Sequence, residues 1–450
     1  MLIEGGSTSL IAFVIAVALA IFVSEKFKIN IGLTGIFFAF VLGSCFGGMT
    51  PAGIIGMMPS SLFGLLLCIT AFFGFINSTG CFDGVVGRII WLGRGKPWLI
   101  PILCYVAGWL VVAAGAGAFA GPLIVCPVAM LICRKANINP LMGVMMSYCG
   151  SEGGCHFMWG ESGAGTIGLL SGVLTPEEAA STIGPAVVSS NVTYLIAFFI
   201  CYVVFKAYKI DKDSELIRTL EKPEPFTAIQ KRGLITALVV IALIAVPTML
   251  RKFVPGVPAF AWFAGHVEVR FLTLAGALFC AITKTYGTTM EDVFKTFIPW
   301  RAIVAICGMG CLVGVAGEIG VIDYLSGILT SGNISPTWVM PAVVLIGGFL
   351  GIISNGLAVA IPLLVPLIPS LSEVTGMTYT AVGQIICTGV IVASVAPIST
   401  GGMMNSIGMT DEEHTRYFWP QMLIAIGLVV IYAILTLVGF NTWLDRIFVG

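Results

Sequence analysis

Long apolar runs recur along this chain with short polar breaks between them, and several are interrupted where an ordinary membrane helix would continue. Runs at roughly 8–24, 31–48, 60–79, 141–168 and 184–207 are followed by others at roughly 233–250, 271–287, 302–320, 380–408 and 420–441. A helix needs ~20 apolar residues to cross a bilayer, so these ten stretches are the expected spans. Two further stretches, 98–133 and 336–371, have another form. Each has an apolar arm, a small or polar tip and a second arm carrying prolines. The tips are AGAG at 114–117 and SNG at 354–356, and the second arms cover about 118–133 and 357–370. These arms are shorter than a span and predict re-entrant hairpins. Irregular backbone at membrane depth is tolerated only where it lines a cavity or is buried in protein.

Sliding the sequence along itself by 240 residues brings special residues into register. Pro59 meets Pro299, Asp83 meets Asp323, Trp98 meets Trp338, Pro101 meets Pro341 and Pro122 meets Pro362. Matches of Trp, Pro and Asp at one ungapped offset indicate an internal duplication. The first copy is expected over 1–207, a cytoplasmic linker over 208–232 and the second copy over 233–450. Five spans per copy is odd, so the copies should be inverted relative to each other. With the linker in the cytoplasm both termini lie outside. Of the 22 Lys and Arg, only Arg251, Lys252, Arg270 and Arg446 then fall outside, as the positive-inside rule expects. The fold class predicted is an all-α polytopic membrane protein of two inverted repeats, each about five transmembrane helices plus one re-entrant hairpin.

Composition narrows the function. The chain is 58% hydrophobic and 10% charged, with a mean hydropathy of +1.04. Net charge is zero and no dense Lys/Arg block suggests nucleic acid. The thirteen cysteines show no zinc-type spacing and mostly sit in apolar runs, as buried thiols do. The start, MLIEGGSTSLIAF, lacks a basic n-region, which fits a retained first span in the cell membrane rather than a cleaved signal.

The candidate chemistry lies in the tips and in the spans that follow them: SYCGSEGGCHFMWGESGAGTIG (147–168) and VASVAPISTGGMMNSIG (392–408). Both stretches are rich in Gly, Ser and Thr at their centres, which predicts broken helices. A break exposes N–H groups that suit carboxylates and carbonyls that suit Na⁺. Ser354-Asn355-Gly356 should meet Pro397-Ile398-Ser399-Thr400-Gly401-Gly402, although the triplet also suits a plain turn. Glu152, His156 and Glu161 are costly inside a membrane and therefore functional candidates, unless they ring a watery mouth. Asp83 and Asp323 read as helix N-caps at the interface. GESG at 160–163 resembles a serine-protease motif. The sequence offers it no well-placed base among His156, His266 and His414, so no enzyme activity is expected.

NIGLTGIFFAFVLGS, PSSLFGLLL, TGCFDGVVGRIIWLGRG and WLIP in the first half resemble the bacterial malonate/dicarboxylate carrier family. VAGEIGVIDYLSGIL and VAPISTGGMMNS in the second half do so too. The resemblance covers nearly the whole chain. It implies membership of the ion-transporter superfamily, with the divalent-anion/sodium symporters. It further implies a homodimer with a scaffold and a moving transport region, working as an elevator and commonly coupled to Na⁺. In the sodium symporters Ser-Asn-Thr motifs at both tips bind sodium and carboxylate. Here Ser354-Asn355 matches but Gly356 replaces Thr. The first tip has only Ala114-Gly115-Ala116-Gly117, and Trp159-Gly160-Glu161-Ser162-Gly163 stands where a Gly-Thr-Pro-Pro-type sequence is expected.

The expected function is secondary-active transport of a small di- or tricarboxylate (malonate, malate or succinate class) coupled to Na⁺ or H⁺, with no other cofactor. Asn355, Ser399, Thr400, Gly401, Ser162 and Gly117 are the expected substrate contacts. Ser354, Gly356, Pro397, Gly160, Glu161, Gly163 and His156 are the expected cation and coupling positions. Two alternatives remain open: a cation/proton antiporter of the same superfamily, and the membrane subunit of a binding-protein-dependent carboxylate uptake system.

Overall fold

Gly32 and Gly308 bring two distant stretches of the chain into backbone contact. A Cβ on Gly308 would stand 2.2 Å from the Gly32 carbonyl oxygen, and one on Gly32 would stand 1.9 Å from that of Val304. Close approach through small residues is how helices associate in lipid, where apolar surface alone gives no drive to pair. The structure, a computed structural model, describes residues 6–253, 262, 267–331, 335–353 and 356–448. Among the described residues the chain is helical without strands, and eight helices are long and apolar enough to cross a membrane.

Helix bounds recur at the 240-residue offset found in the sequence. Ser60–Ser78 is matched by Trp300–Glu318, and Cys81–Trp91 by Val321–Ser331. Ile31–Phe40 packs on Trp300–Glu318, and its counterpart Val269–Ile282 packs on Ser60–Ser78. Each half therefore lends its second helix to the third helix of the other. These second helices are shorter than expected. Val269–Ile282 has 14 residues, or about 21 Å of rise, less than the ~30 Å hydrocarbon core.

Both tip-bearing stretches have a helical arm on either side of the tip, and the turn itself is described only in the first. In the first, Ile100–Val111 runs into a widened turn, Val112–Ala116, and the chain returns as Gly117–Lys135. Gly115, at φ +102°, makes the turn, and a Cβ there would stand 1.8 Å from the Phe73 ring. The returning helix is 19 residues long and runs through Pro122 and Pro127. It is longer than the short arm expected, because the prolines sit inside the helix instead of ending it. In the second stretch Pro336–Ile353 is followed by Gly356–Ala360, Ile361–Leu364, Val365–Leu367 and Ile368–Thr375.

Both spans that follow are broken where the Gly/Ser/Thr-rich centres lie. Pro140–Cys155 stops at His156 and helix resumes as Glu161–Leu170. Tyr379–Ile391 stops before Val392 and helix resumes as Thr400–Met404. Asp83 is not an N-cap: Gly80 caps at φ +68°, and Asp83 sits in the first turn of the amphipathic helix. Asp323 holds the same first-turn place after Gly320, whose φ is +77°. In both copies a left-handed glycine turns the chain, leaving the carboxylate inside the first turn beside the helix's positive end. The linker after residue 206 is held against the first half. The Arg88 guanidinium lies 3.5 Å from the Phe226 ring centroid, and Lys135 Nζ donates to Thr219 Oγ1 at 2.7 Å.

Candidate functional site

Each break folds back on itself by one device. The third residue of the resumed helix is a glycine packed onto the carbonyls of the unwound segment. A Cβ on Gly163 would lie 2.1 Å from Phe157 O and 2.5 Å from His156 O. One on Gly402 would lie 1.9 Å from Ala396 O and 2.6 Å from Val395 O. No side chain fits at either place, so the glycine-rich centres seen in the sequence are what allow the breaks.

The first tip meets the first break. A Cβ on Gly117 would stand 3.1 Å from Glu161 Oε2. The Glu161 carboxylate accepts from the backbone N–H of Ala118, at the start of the returning helix. Glu161 is also the first residue of its own helix, after Gly160. Its carboxylate therefore lies where two helices present their positive ends. Ser162 is buried beside it and faces the Cys155 thiol. Trp159 closes the side of the site by donating from Nε1 to Ala113 O of the tip at 2.8 Å and stacking on Phe157. Asn77, from Ser60–Ser78, donates to Ala116 O at 3.1 Å.

The second break gathers around Ser394. A Cβ on Gly356 would be 3.7 Å from Ser394 Oγ, and one on Gly401 would be 2.6 Å from Ser394 O. The Ser399 hydroxyl points at Ser394 O, 2.7 Å away, and accepts from the Gly402 N–H at 3.0 Å as the cap of the resumed helix. Gly356, Ser399 and Gly401 are thus brought together. Ser399 is fully buried, with its hydroxyl committed to the cap, while Thr400 and Pro397 are half-buried. Ser354 and Asn355 lie outside the described residues. The two clusters touch where Leu357, just after the second tip, packs 3.3 Å from the Cβ position of Gly165 in the resumed first helix.

Several carbonyls freed by the second break already have donors. Tyr148, from the first half, donates to Ile391 O at 2.9 Å, with Val392 O at 3.1 Å, and Gln421 donates to Val395 O at 2.8 Å. Ser147 donates to Asn405 Oδ1 at 2.6 Å. The sequence reading passed over Tyr148, Ser394, Asn405 and Gln421. Gln421 and Asn405 were visible as amides inside apolar runs, whereas nothing local marks Tyr148.

The first break is different. Ser151 Oγ, His156 Nε2, Glu161 Oε1 and Thr166 Oγ1 are all buried without a hydrogen-bond partner in the described structure, and Asn77 Oδ1 beside the tip is another. Buried polar atoms are nearly always paired in folded proteins, so a cluster of unpaired ones within one broken span marks a place for a ligand, ion or ordered water. Among the described residues neither Glu152 nor Glu161 forms an ion pair.

Residues 7–155 match the family described as dicarboxylate carrier protein MatC N-terminus. No curated protein matches the chain. Among solved structures, the YdaH transporter of Alcanivorax borkumensis is similar in fold, with a TM-score of 0.57 and 14% identity over 86% of this chain and 87% of that one. MtrF of Neisseria gonorrhoeae, described as illuminating a class of antimetabolite efflux pumps, has a TM-score of 0.52 and 14% identity over 86% of this chain and 82% of its own. The chain is a multi-pass membrane protein with the fold of these transporters, and the resemblance to the dicarboxylate carrier family read from its motifs holds over residues 7–155.

Proposed function

We propose that the protein is a secondary-active carrier of small di- or tricarboxylates of the malonate, malate and succinate class, driven by Na⁺ or H⁺. The observation that carries this reading is the set of unpaired buried polar atoms at 151–166, set against the tip at Gly117. The dicarboxylate carrier match supports the substrate class. In this reading substrate carboxylates take the N–H groups at the resumed helices together with Thr400, Ser162 and Asn355. A coupling cation or proton is held by Glu161 and carbonyls near Gly160, Gly163, Ser354 and Gly356. No Lys or Arg occurs between Lys135 and Lys206, so a co-bound cation supplies the positive charge that a dianion needs in low dielectric.

The reciprocal packing of second on third helices supports two inverted copies, and with them an elevator-type motion of the tip-and-break region in a homodimer within the cell membrane, termini outside. Purified chain in liposomes, given labelled malonate, malate or succinate under imposed Na⁺ or H⁺ gradients, should accumulate at least one of them. No uptake of any of the three under either gradient would refute the reading.

One observation favours a second reading. The buried, ion-pair-free Glu152 and Glu161 also suit a cation/proton antiporter. Proton-driven Na⁺ expulsion without any organic anion would select it.

A further inference from the structure

We propose that Glu152, Cys155 and His156 form a binding site for a soft divalent transition-metal cation of the Zn²⁺ class, placed where the Pro140–Cys155 helix ends inside the membrane. This goes beyond the carrier reading and does not rest on it. The spacing builds the site locally. Glu152 and Cys155 are three residues apart on the last helical turn and share a face. His156 leaves the helix as its cap, at φ −85° and ψ 2°, and its ring nitrogen Nδ1 lies beside the thiol.

Glu152 Oε2 lies 3.3 Å and His156 Nδ1 lies 3.8 Å from Cys155 Sγ, and one donor atom of each residue falls within 4.8 Å of the others. All three side chains are buried, and His156 Nε2 has no hydrogen-bond partner. Thiolate, imidazole and carboxylate are the ligand types that hold Zn²⁺, usually around a tetrahedron. A sulfur and a nitrogen donor disfavour a hard cation such as Na⁺ or Mg²⁺.

Charge decides the matter inside a membrane. The nearest Lys or Arg in sequence are Lys135 and Lys206, and Glu152 has no ion pair among the described residues. When a divalent metal binds, the Cys155 thiol passes its proton to water and a metal–sulfur bond forms. One thiolate, one carboxylate and a neutral imidazole then leave the 2+ ion with no net charge, the arrangement a low-dielectric site tolerates best. A fourth position stays open for water. Occupancy ties the last helical turn to the first unwound residue and holds the break in one conformation.

The test is a titration of the purified full chain in detergent with Co²⁺ alone. The expected result is a saturable, one-equivalent thiolate-to-cobalt charge-transfer absorption with the visible bands of a four-coordinate ion. It should vanish in Cys155→Ser, weaken more than about tenfold in His156→Gln, and persist in Cys149→Ser, whose thiol is buried earlier on the same helix. No charge-transfer band in the unmodified chain overturns the proposal. So does a band that survives Cys155→Ser, or one lost on Cys45→Ser, since Cys45 is exposed. Should Cys155→Ser not yield monodisperse protein, His156→Gln decides, and an unchanged titration there overturns the site.

Discussion

The Tyr148 hydroxyl lies 2.9 Å from the carbonyl oxygen of Ile391, so a side chain from the first half closes the helix end that opens the second break. The bond joins residues 243 apart in sequence. It joins the Ser394 N–H, which donates to the Ile391 carbonyl at 2.9 Å where the helix stops, and the same hydroxyl reaches Val392 O at 3.1 Å. The second break is therefore supported by the other half of the molecule.

Tyr148→Phe should leave the buried Val392 carbonyl, 3.1 Å from the same hydroxyl, without a donor, at about 1–3 kcal/mol. Thermal unfolding of the detergent-purified variant should show a clear loss of stability. An unchanged midpoint would mean that the bond carries no weight.

Gly115→Ala should destabilise by more than about 2 kcal/mol, because the residue combines a left-handed backbone with a Cβ driven into the Phe73 ring. Gly56→Ala is the control, since a Cβ there meets nothing within 4 Å. Equal stability of the two variants would contradict the tip geometry.

Glu161→Gln keeps the shape of the site and removes its charge. Binding of the carboxylate substrate should survive, while accumulation driven by a Na⁺ or H⁺ gradient should fall more than about tenfold. Binding by ligand-induced stabilisation and uptake in liposomes are measured on the same preparation. Undiminished gradient-driven accumulation would remove Glu161 from coupling.

Ser399 and Thr400 should separate structure from transport. Ser399→Ala loses a buried helix cap and should cost about 1 kcal/mol of stability. Thr400→Ala should leave stability within about 0.5 kcal/mol, and Thr400→Ala and Asn355→Ala should each abolish uptake at normal membrane abundance. Full transport by both would refute their assignment to the substrate.

The apolar runs, the repeat at a fixed offset and the two broken spans were legible in the sequence because they follow from local chemistry. Length and hydropathy set the spans. Glycine, serine and threonine inside an apolar run show where helix yields. Glu152, His156 and Glu161 stood out for the same reason, since ionisable groups in such runs are costly.

Tertiary structure decided how those pieces are satisfied. Whether Pro122 and Pro127 end a helix or ride within it depends on the helices packed around them, and they ride within it. Ser399 looked like a ligand by residue type but spends its hydroxyl on a cap, while Ser394, unremarked in sequence, sits between tip and break. Freed carbonyls of the second break are met by Tyr148 and Gln421, whereas in the first Ser151, His156, Glu161 and Thr166 each keep one buried polar atom without a partner among the described residues. The sequence determined where backbone groups come free. Only the packing of one half against the other decided which of them find a partner, because hydrogen bonds and close contacts depend on distance in space and not on separation along the chain.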